Sequence, residues 1–333
     1  MTLRPPFFTG RLDYDGTGSE RRTDEERHDL RKCEAEKPVS TLYRSALSHS
    51  LQKTQAIAKY VRSYSLIMNR YYQGNYTVVD GFAGPGILDL RGRVSQKQVR
   101  LIDGVTFSEI EIGSPLLLLS NHPSIPQIHL VELDEECFKA LQDRVSAYYP
   151  GRANLYNEDA NVVLPRIATG IGSGKSLFLL DPAGLDLRMK TIFEVASACS
   201  GSEVLILYPT YMGVARAINV QGVPRKLDAF YGDDFLGGDV EDDGWRHRMK
   251  EWREDKAALG EELDDEGTPW DLHAGLFVLY QERLKLAGFK YVTTSPVVRS
   301  PRNRPLYHLV HAGNNDTGSR IMSDIFGAMD PPI

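Results

Sequence analysis

The sequence predicts an α/β protein in which a mostly parallel, seven-stranded sheet carries helices on both faces. Short apolar runs such as TVVDGFAG and SLFLLDPAG alternate with amphipathic segments along the middle of the chain, which is the order that repeated βαβ units produce. SLFLLDPAG begins with an almost uninterrupted apolar run, as expected of a central parallel strand. A glycine-rich turn follows the first strand, at the edge where open sheets bind ligands.

The pattern divides the 333 residues into an arm, a domain and an insertion. Residues 1–40 are polar and charged, without a periodic apolar pattern, so we expect a flexible or docking arm. Residues 41–333 are expected to form a Rossmann-like domain, which begins with one long helix, or two, after Ser40. Residues 212–272 break the alternation and are rich in acidic side chains, which predicts a helical insertion after the fifth strand.

Composition and charge narrow the functional classes. The net charge of −6 argues against a strong non-specific grip on nucleic acid, although a local basic groove remains compatible with it. The three cysteines are scattered and form no CxxC, so we expect neither a disulfide framework nor a metal site. The sequence has no apolar run of about 18 residues and no apolar signal-peptide core, so we expect a cytoplasmic protein without a membrane segment.

The segment VVDGFAGPG predicts a site for S-adenosylmethionine (SAM). Asp80 ends an apolar strand, and a tight turn with three glycines follows. The carboxylate can face the amino group of the methionine moiety, and the glycines allow the backbone to approach the ligand closely. The glycine spacing departs from GxGxxG, which makes a nicotinamide cofactor the weaker alternative. The expected cofactor contacts are Asp80, Gly81, Phe82, Ala83, Gly84 and Gly86.

Acids also follow the second and third predicted strands. Glu132, with Leu133 beside it, is expected to accept hydrogen bonds from the ribose diol. The alternative is an acid that only favours the start of a helix. Asp159 and Ala160 follow the third strand, where a carboxylate can accept from the exocyclic amine of adenine. Asp159 can equally cap the helix that begins there, and the two roles are compatible.

The fourth strand ends in DPAG, at the sheet edge that would face the methyl group of SAM. We expect Asp181 and Pro182 to be catalytic, with Asp181 orienting or deprotonating a target amine or hydroxyl and also lying against the cofactor. The alternative is a strand-end turn without chemistry.

A basic loop between the last two predicted strands indicates a substrate surface. Arg299, Arg302 and Arg304 can hold phosphates, and Tyr307 beside them can stack on a base. A solvated basic turn is the alternative interpretation. Tyr208, after the fifth strand, can line the same pocket or serve only in packing.

With these residues in place, the chain resembles the three-Cys-motif partner (TcmP) family of bacterial proteins. The resemblance spans roughly residues 45–330 and is carried by VVDGFAGPG, GSPLLLL, VELDEE, DPAG and PLYHLVHAGNNDTGSRIMSDI. It implies a class I methyltransferase-like fold and a partner with a three-cysteine motif that resembles radical-SAM proteins. The family often has an aromatic residue after the strand-four proline, whereas this chain has Ala183, so base stacking at that position is in doubt.

Two functions therefore remain open at the level of the sequence. The first is methyl transfer from SAM to a nucleic acid, RNA or DNA, or to a nucleoprotein. The second is a non-catalytic partner that keeps the SAM fold and docks a three-Cys-motif protein.

Overall fold

The computed structural model describes residues 44–45, 49–89, 110–121, 124–215, 217, 224–236, 244–258, 270–300 and 303–329. The chain divides into two compact units, Met1–Glu158 and Asp159–Ile333. The arm predicted for residues 1–40 lies outside the described residues, and the division into arm, domain and insertion stays a prediction.

The first unit contains one long helix, a parallel three-stranded sheet and a second, small sheet. Strands β2, β5 and β6 lie side by side in that order and run parallel, while β1, β3 and β4 form the small sheet. The elements are β1 (Arg44–Ser45), α1 (His49–Tyr71), β2 (Tyr76–Asp80), β3 (Ile87–Asp89), β4 (Ile110–Ile112), α2 (Ser114–Ser120), β5 (Gln127–Val131), α3 (Glu135–Tyr148) and β6 (Asn154–Tyr156).

Helix α1 is a single helix, where the sequence allowed one or two. Ile57, Val61 and Tyr64 are buried on one face, as their helical spacing predicts. The Tyr64 ring meets the Tyr76 ring edge-on, with 5.7 Å between centroids. All five residues of β2 are buried, which agrees with the interpretation of TVVD as an inner parallel strand.

The second unit contains five strands of β-sheet with helices on both sides. The strand order is β10-β11-β8-β7, and β9 also pairs with β11. Strands β7 and β8 are parallel, and β11 is antiparallel to its three neighbours. The elements are α4 (Ala160–Ile171), β7 (Lys175–Leu180), α5 (Met189–Ala198), β8 (Gly201–Pro209), a π-helical turn (Thr210–Ala215), α6 (Pro224–Tyr231), α7 (Trp245–Ala258), α8 (Trp270–Leu286), β9 (Tyr291–Thr294), β10 (Val298–Arg299), β11 (Pro305–Gly313) and α9 (Asp316–Gly327).

The segment 291–300 differs from the prediction, because it forms two strands, β9 and β10, instead of one. The break lies around Pro296, which has no backbone N–H to donate to β11. Ser295 spans the break, since its backbone N donates to the Leu309 carbonyl and its hydroxyl accepts from the Leu309 N–H, each at 2.9 Å.

Helices cover both faces of the strands in the second unit. Tyr208 and His308 lie opposite each other in the β8–β11 ladder and therefore share a face, where α8 packs Phe277 against both rings. On the other face, the Thr293 hydroxyl of β9 lies 2.7 Å from the Ser319 hydroxyl of α9. The chain thus has the mixed α/β, Rossmann-like fold that the sequence predicts.

Two details of the helices depend on residues that break their usual pattern. Gly113 is the N-cap residue of α2, and Ser114 is already helical. Gly113 is held in that place because its N–H donates to the Gly86 carbonyl at 2.8 Å. Helix α4 runs continuously through Pro165.

The acidic stretch after the fifth strand contains helices, as predicted. Helices α6 and α7 lie within it and are joined through Asp228, which accepts from the Trp245 indole N–H at 2.9 Å and pairs with Arg246. The Trp245 backbone N–H donates to Asp233 at 3.0 Å. Among the residues that the structure describes, no helix combines the length and apolar character that a bilayer crossing requires.

Burial of His273 on α8 predicts a pH dependence of stability. Burial, together with the positive charge of nearby His308, lowers the pKa of His273 to about 4. The unfolded chain, with a pKa near 6.5, therefore binds the proton more readily than the fold does. The stability that the neutral ring supplies is fully present above pH 6.5. It is lost as the pH falls from there toward 4, at about 1.4 kcal/mol per pH unit.

We expect the free energy of unfolding to fall between pH 7 and pH 4 by on the order of 3 kcal/mol more in the wild type than in His273→Leu. Urea denaturation at a series of pH values measures both curves. Titration of every other group is common to the two proteins, so parallel curves would contradict a buried, neutral His273.

Candidate functional site

The glycine turn of the first unit is joined to the end of β5 by a backbone hydrogen bond. Asp80 is buried at the end of β2, and its Oδ1 accepts from the Phe82 N–H at 3.2 Å. The Ala83 N–H donates to the Val131 carbonyl at 2.9 Å. The turn therefore lies beside the end of β5, and its backbone lies at the carboxyl edge of the parallel strands, as the motif predicts.

The Glu132 carboxylate, directly after β5, connects the end of that strand to the glycine turn. Its Oε2 accepts from the Gly84 N–H at 2.7 Å, and its Oε1 accepts from the Asp134 N–H at 2.8 Å. The Asn157 side chain donates to the Glu132 and Leu133 carbonyls at 2.9 and 3.0 Å. Glu132 is thus buried and fixed in orientation, while the Leu133 side chain beside it is 66% exposed.

The role of an acid that favours the start of a helix belongs to Asp134, not to Glu132. Asp134 is the N-cap of α3 and accepts from the Cys137 N–H at 2.8 Å. Each Glu132 oxygen has a second lone pair beyond its backbone bond, so the carboxylate keeps capacity for two ligand hydroxyls.

Glycine is required at two positions of the turn because of the backbone conformation, and at one of them also because of close packing. Gly84 and Gly86 have φ values of 63° and 88°, which residues with a Cβ rarely adopt. A Cβ on Gly86 would lie 3.2 Å from Leu116 Cγ and 3.3 Å from Leu141 Cδ1. The turn therefore packs directly on helices α2 and α3 at this point.

Arg144 also supports the turn, and the sequence analysis did not identify it. This α3 residue is 1% exposed, and its Nη1 donates to the Pro85 carbonyl at 2.5 Å. Ala140, Leu141 and Val145 are buried on the same helix, so Arg144 stands on the apolar face. An arginine at a core-facing helical position was the sequence signal for this contact.

In the second unit, Asp159 caps α4, as the structural alternative predicts. Its Oδ1 accepts from the Asn161 N–H at 2.8 Å and from the Asn161 side-chain amide at 3.0 Å. Ala160 is buried, whereas the Val162 side chain, two residues later, is 61% exposed. The cap uses one carboxylate oxygen, so the cap and a contact to adenine remain compatible.

Asp181 and Pro182 follow β7 directly. Pro182 is buried, Asp181 is half-buried, and Gly184 beyond them has a φ of 76°. Burial raises the pKa of the Tyr307 phenol, and the negative charge of Asp181 raises it further, so the two groups are neighbours. Tyr307 is only 6% exposed, and its expected role of stacking on a substrate base is therefore wrong for this conformation.

The other residues that the sequence predicted for substrate binding differ in their exposure. Tyr208 is fully buried, and its hydroxyl lies 2.8 Å from that of Tyr231, which favours the packing interpretation. Arg299 donates to the Asn303 carbonyl at 3.0 Å, and Arg304 is exposed. Arg302 lies outside the described residues.

The first unit thus brings together Asp80, the glycine turn, Glu132 and Leu133. The second unit places Asp181 beside Tyr307 and sets Asp159 and Ala160 at the start of α4. Among the residues that the structure describes, no group of three or more His, Cys, Asp or Glu side chains is arranged to hold a metal ion.

Comparison with known proteins gives distant structural similarity only. No family model matches the sequence, and no curated protein matches it either. The chain is similar to a Legionella pneumophila protein of family model DUF519, at 10% identity over 81% of this chain and 89% of that one, with a TM-score of 0.44.

Two similar structures contain S-adenosylhomocysteine (SAH). The N-terminal domain of EvdMO1 with SAH bound is 12% identical over 86% of this chain and 95% of that one, with a TM-score of 0.37. Magnesium protoporphyrin IX methyltransferase from Synechocystis PCC 6803, with bound SAH, is 11% identical over 79% and 84%, with a TM-score of 0.37. Similarity at this level carries no argument about what this chain binds, and membership of the TcmP family is not shown.

The packing of the glycine turn predicts unequal costs for two alanine substitutions. Gly86→Ala and Gly151→Ala both place a Cβ at positive φ, which costs about 1–2 kcal/mol, but nothing lies within 4 Å of the Gly151 position. Gly86→Ala also forces contacts with two leucines, which adds about 1–3 kcal/mol. Chemical denaturation of both variants measures the difference, and equal losses would contradict the close packing of the turn.

Proposed function

We propose that this chain is a SAM-dependent methyltransferase. The observation that carries the proposal is the Glu132 carboxylate, which is buried, held at 2.7 Å from the Gly84 N–H and flanked by the exposed Leu133 side chain. A fixed acid next to an exposed apolar side chain suits a nucleoside, whose ribose is a diol and whose base is flat and apolar on its faces.

The residues of the first unit fit the cofactor. Asp80 ends β2 beside the turn and suits the ammonium group of the methionine moiety, which would give a charge-assisted hydrogen bond. Gly84 and Gly86 remove side chains from the turn, so that the backbone can approach a ligand closely. In the second unit, Asp159 keeps one oxygen beyond its cap bonds and suits the exocyclic amine of adenine.

The chemistry of the reaction falls to Asp181 and Pro182. When bound, SAM supplies a methyl group on a positively charged sulfonium. Asp181 is half-buried and is proposed to orient the acceptor and to take the proton that an amine or hydroxyl loses on methylation. Pro182 restricts the backbone that follows the carboxylate.

Replacement of either acid of the first unit is expected to weaken SAH binding. Glu132→Gln and Asp80→Asn each remove a charged acceptor, worth about 1.5–3 kcal/mol, or roughly 10- to 150-fold in the dissociation constant. Isothermal titration with SAH measures this loss. Glu135→Gln, an exposed acid in the first turn of α3, is the matched control and should bind like the wild type.

Unchanged affinity in both Glu132→Gln and Asp80→Asn would contradict the placement of the cofactor. Asp181→Ala is expected to bind SAH with little loss and to lower turnover, because its proposed partner is the acceptor.

We further propose that the acceptor is a nucleic acid or a nucleoprotein. The support is the β10–β11 turn, where Arg304 is exposed and the Ser300 N–H donates to the Arg304 carbonyl at 2.8 Å. An exposed arginine on a hydrogen-bonded turn can contact phosphate with little loss of backbone entropy. A three-Cys-motif protein is the proposed partner, following the resemblance seen in the sequence.

Transfer of a labelled methyl group identifies the acceptor class. With tritiated SAM and total RNA, DNA and protein as separate substrates, we expect label in RNA or DNA, and less label with Arg304→Ala than with Arg320→Ala. Arg320 is an exposed arginine of α9 that pairs with Asp316. Label in protein alone, or none even with a three-Cys-motif protein added, would contradict the nucleic-acid proposal.

A further inference from the structure

Asn161, at the start of α4, uses all of the hydrogen-bonding capacity of its side-chain amide. Its Nδ2 donates to Asp159 Oδ1 at 3.0 Å and to the Asp186 carbonyl at 2.8 Å. Its Oδ1 accepts from the Arg188 N–H at 2.9 Å and from the Thr191 hydroxyl at 2.8 Å. Two donors and two acceptor lone pairs are all that an amide offers, so a rotation of this group disturbs every contact together.

These four contacts connect two places that the proposed function uses. On one side is Asp159, the cap of α4 and the proposed acceptor for the adenine amine. On the other side is the segment 186–191, which ends the loop that starts at Asp181. Within this loop, Leu185 and Leu187 are buried and hold it in place. A shift of the segment 186–191 is therefore transmitted toward Asp181 along a short, packed stretch of the chain.

We propose that Asn161 is a positioning residue that couples a base bound at Asp159 to the order of the loop that carries Asp181. The inference rests on the proposed SAM function. A ligand amine on the second oxygen of Asp159 restricts the carboxylate, which in turn restricts the Asn161 amide that donates to it and is hydrogen-bonded to the loop. The loop is therefore better ordered when the base is bound, with no large movement required.

The coupling has a reciprocal consequence that a purely structural role lacks. If SAH lowers the equilibrium constant for opening of the loop by some factor, closure of the loop must raise SAH affinity by the same factor. A variant that breaks the link should thus lose SAH-induced protection and SAH affinity together.

Asn161→Asp breaks the link selectively. Its carboxylate can still accept from the Arg188 N–H and the Thr191 hydroxyl, but it has no donor for Asp159 or Asp186 and places a second negative charge beside Asp159. Thr191→Val is the matched control, since it removes one bond to Asn161 from a buried, nearly isosteric site and leaves the bond to Asp159 in place.

Amide hydrogen exchange of the Arg188 N–H, with and without SAH, reads the loop directly. In the wild type and in Thr191→Val, we expect SAH to slow exchange about 5-fold or more, the lower end of coupling between sites. In Asn161→Asp, we expect no slowing and a loss of SAH affinity by the same factor in isothermal titration. Circular dichroism checks folding, and Asn161→Ser replaces Asn161→Asp if the latter does not fold.

The outcomes separate this inference from the function on which it rests. If the wild type does not bind SAH, the proposed function fails and the inference fails with it. If the wild type binds SAH but the Arg188 exchange rate does not change, or if Asn161→Asp keeps the protection, only the coupling through Asn161 is overturned.

Discussion

The hydrogen bond from the Gly84 N–H to the Glu132 carboxylate is the contact on which the candidate site depends. Its 2.7 Å length, the burial of the acid and the second bond to the Asp134 N–H fix one carboxylate relative to the glycine turn. Hydrogen bonds to a charged group are worth about 1.5–3 kcal/mol each. The turn can therefore keep its backbone open at the glycines without losing its position, which a nucleoside site needs.

The parts of the fold that the sequence predicted are those encoded by local periodicity. TVVD, SLFLL and EVLILYP are strands because apolar residues run without interruption, and α1 follows its helical spacing. Asp80, Glu132 and the glycines were predicted because acids and glycines at the carboxyl ends of parallel strands stand where open sheets bind ligands. The break at Pro296 and the cap at Gly113 were missed, since each depends on a partner distant in sequence, Leu309 and Gly86 respectively.

Residues whose role depends on tertiary burial could not be assigned from the sequence. Tyr208 and Tyr307 stand near strand ends, which suggested a substrate surface, but packing against α8 and proximity to Asp181 bury them. Arg144 and Asn161 had no motif, although one binds the turn and the other joins a cap to a loop. The core-facing position of Arg144 is visible in the sequence, but the distant backbone groups that these two side chains satisfy are identified only by the structure.

A crystal structure of the complex with SAH tests the central claim most directly. The account predicts that both ribose hydroxyls lie within about 3.2 Å of the Glu132 carboxylate oxygens, with the Gly84 N–H still bonded to that acid. A ligand bound elsewhere, or a Glu132 carboxylate that leaves Gly84 and makes no contact with the ribose, would contradict it.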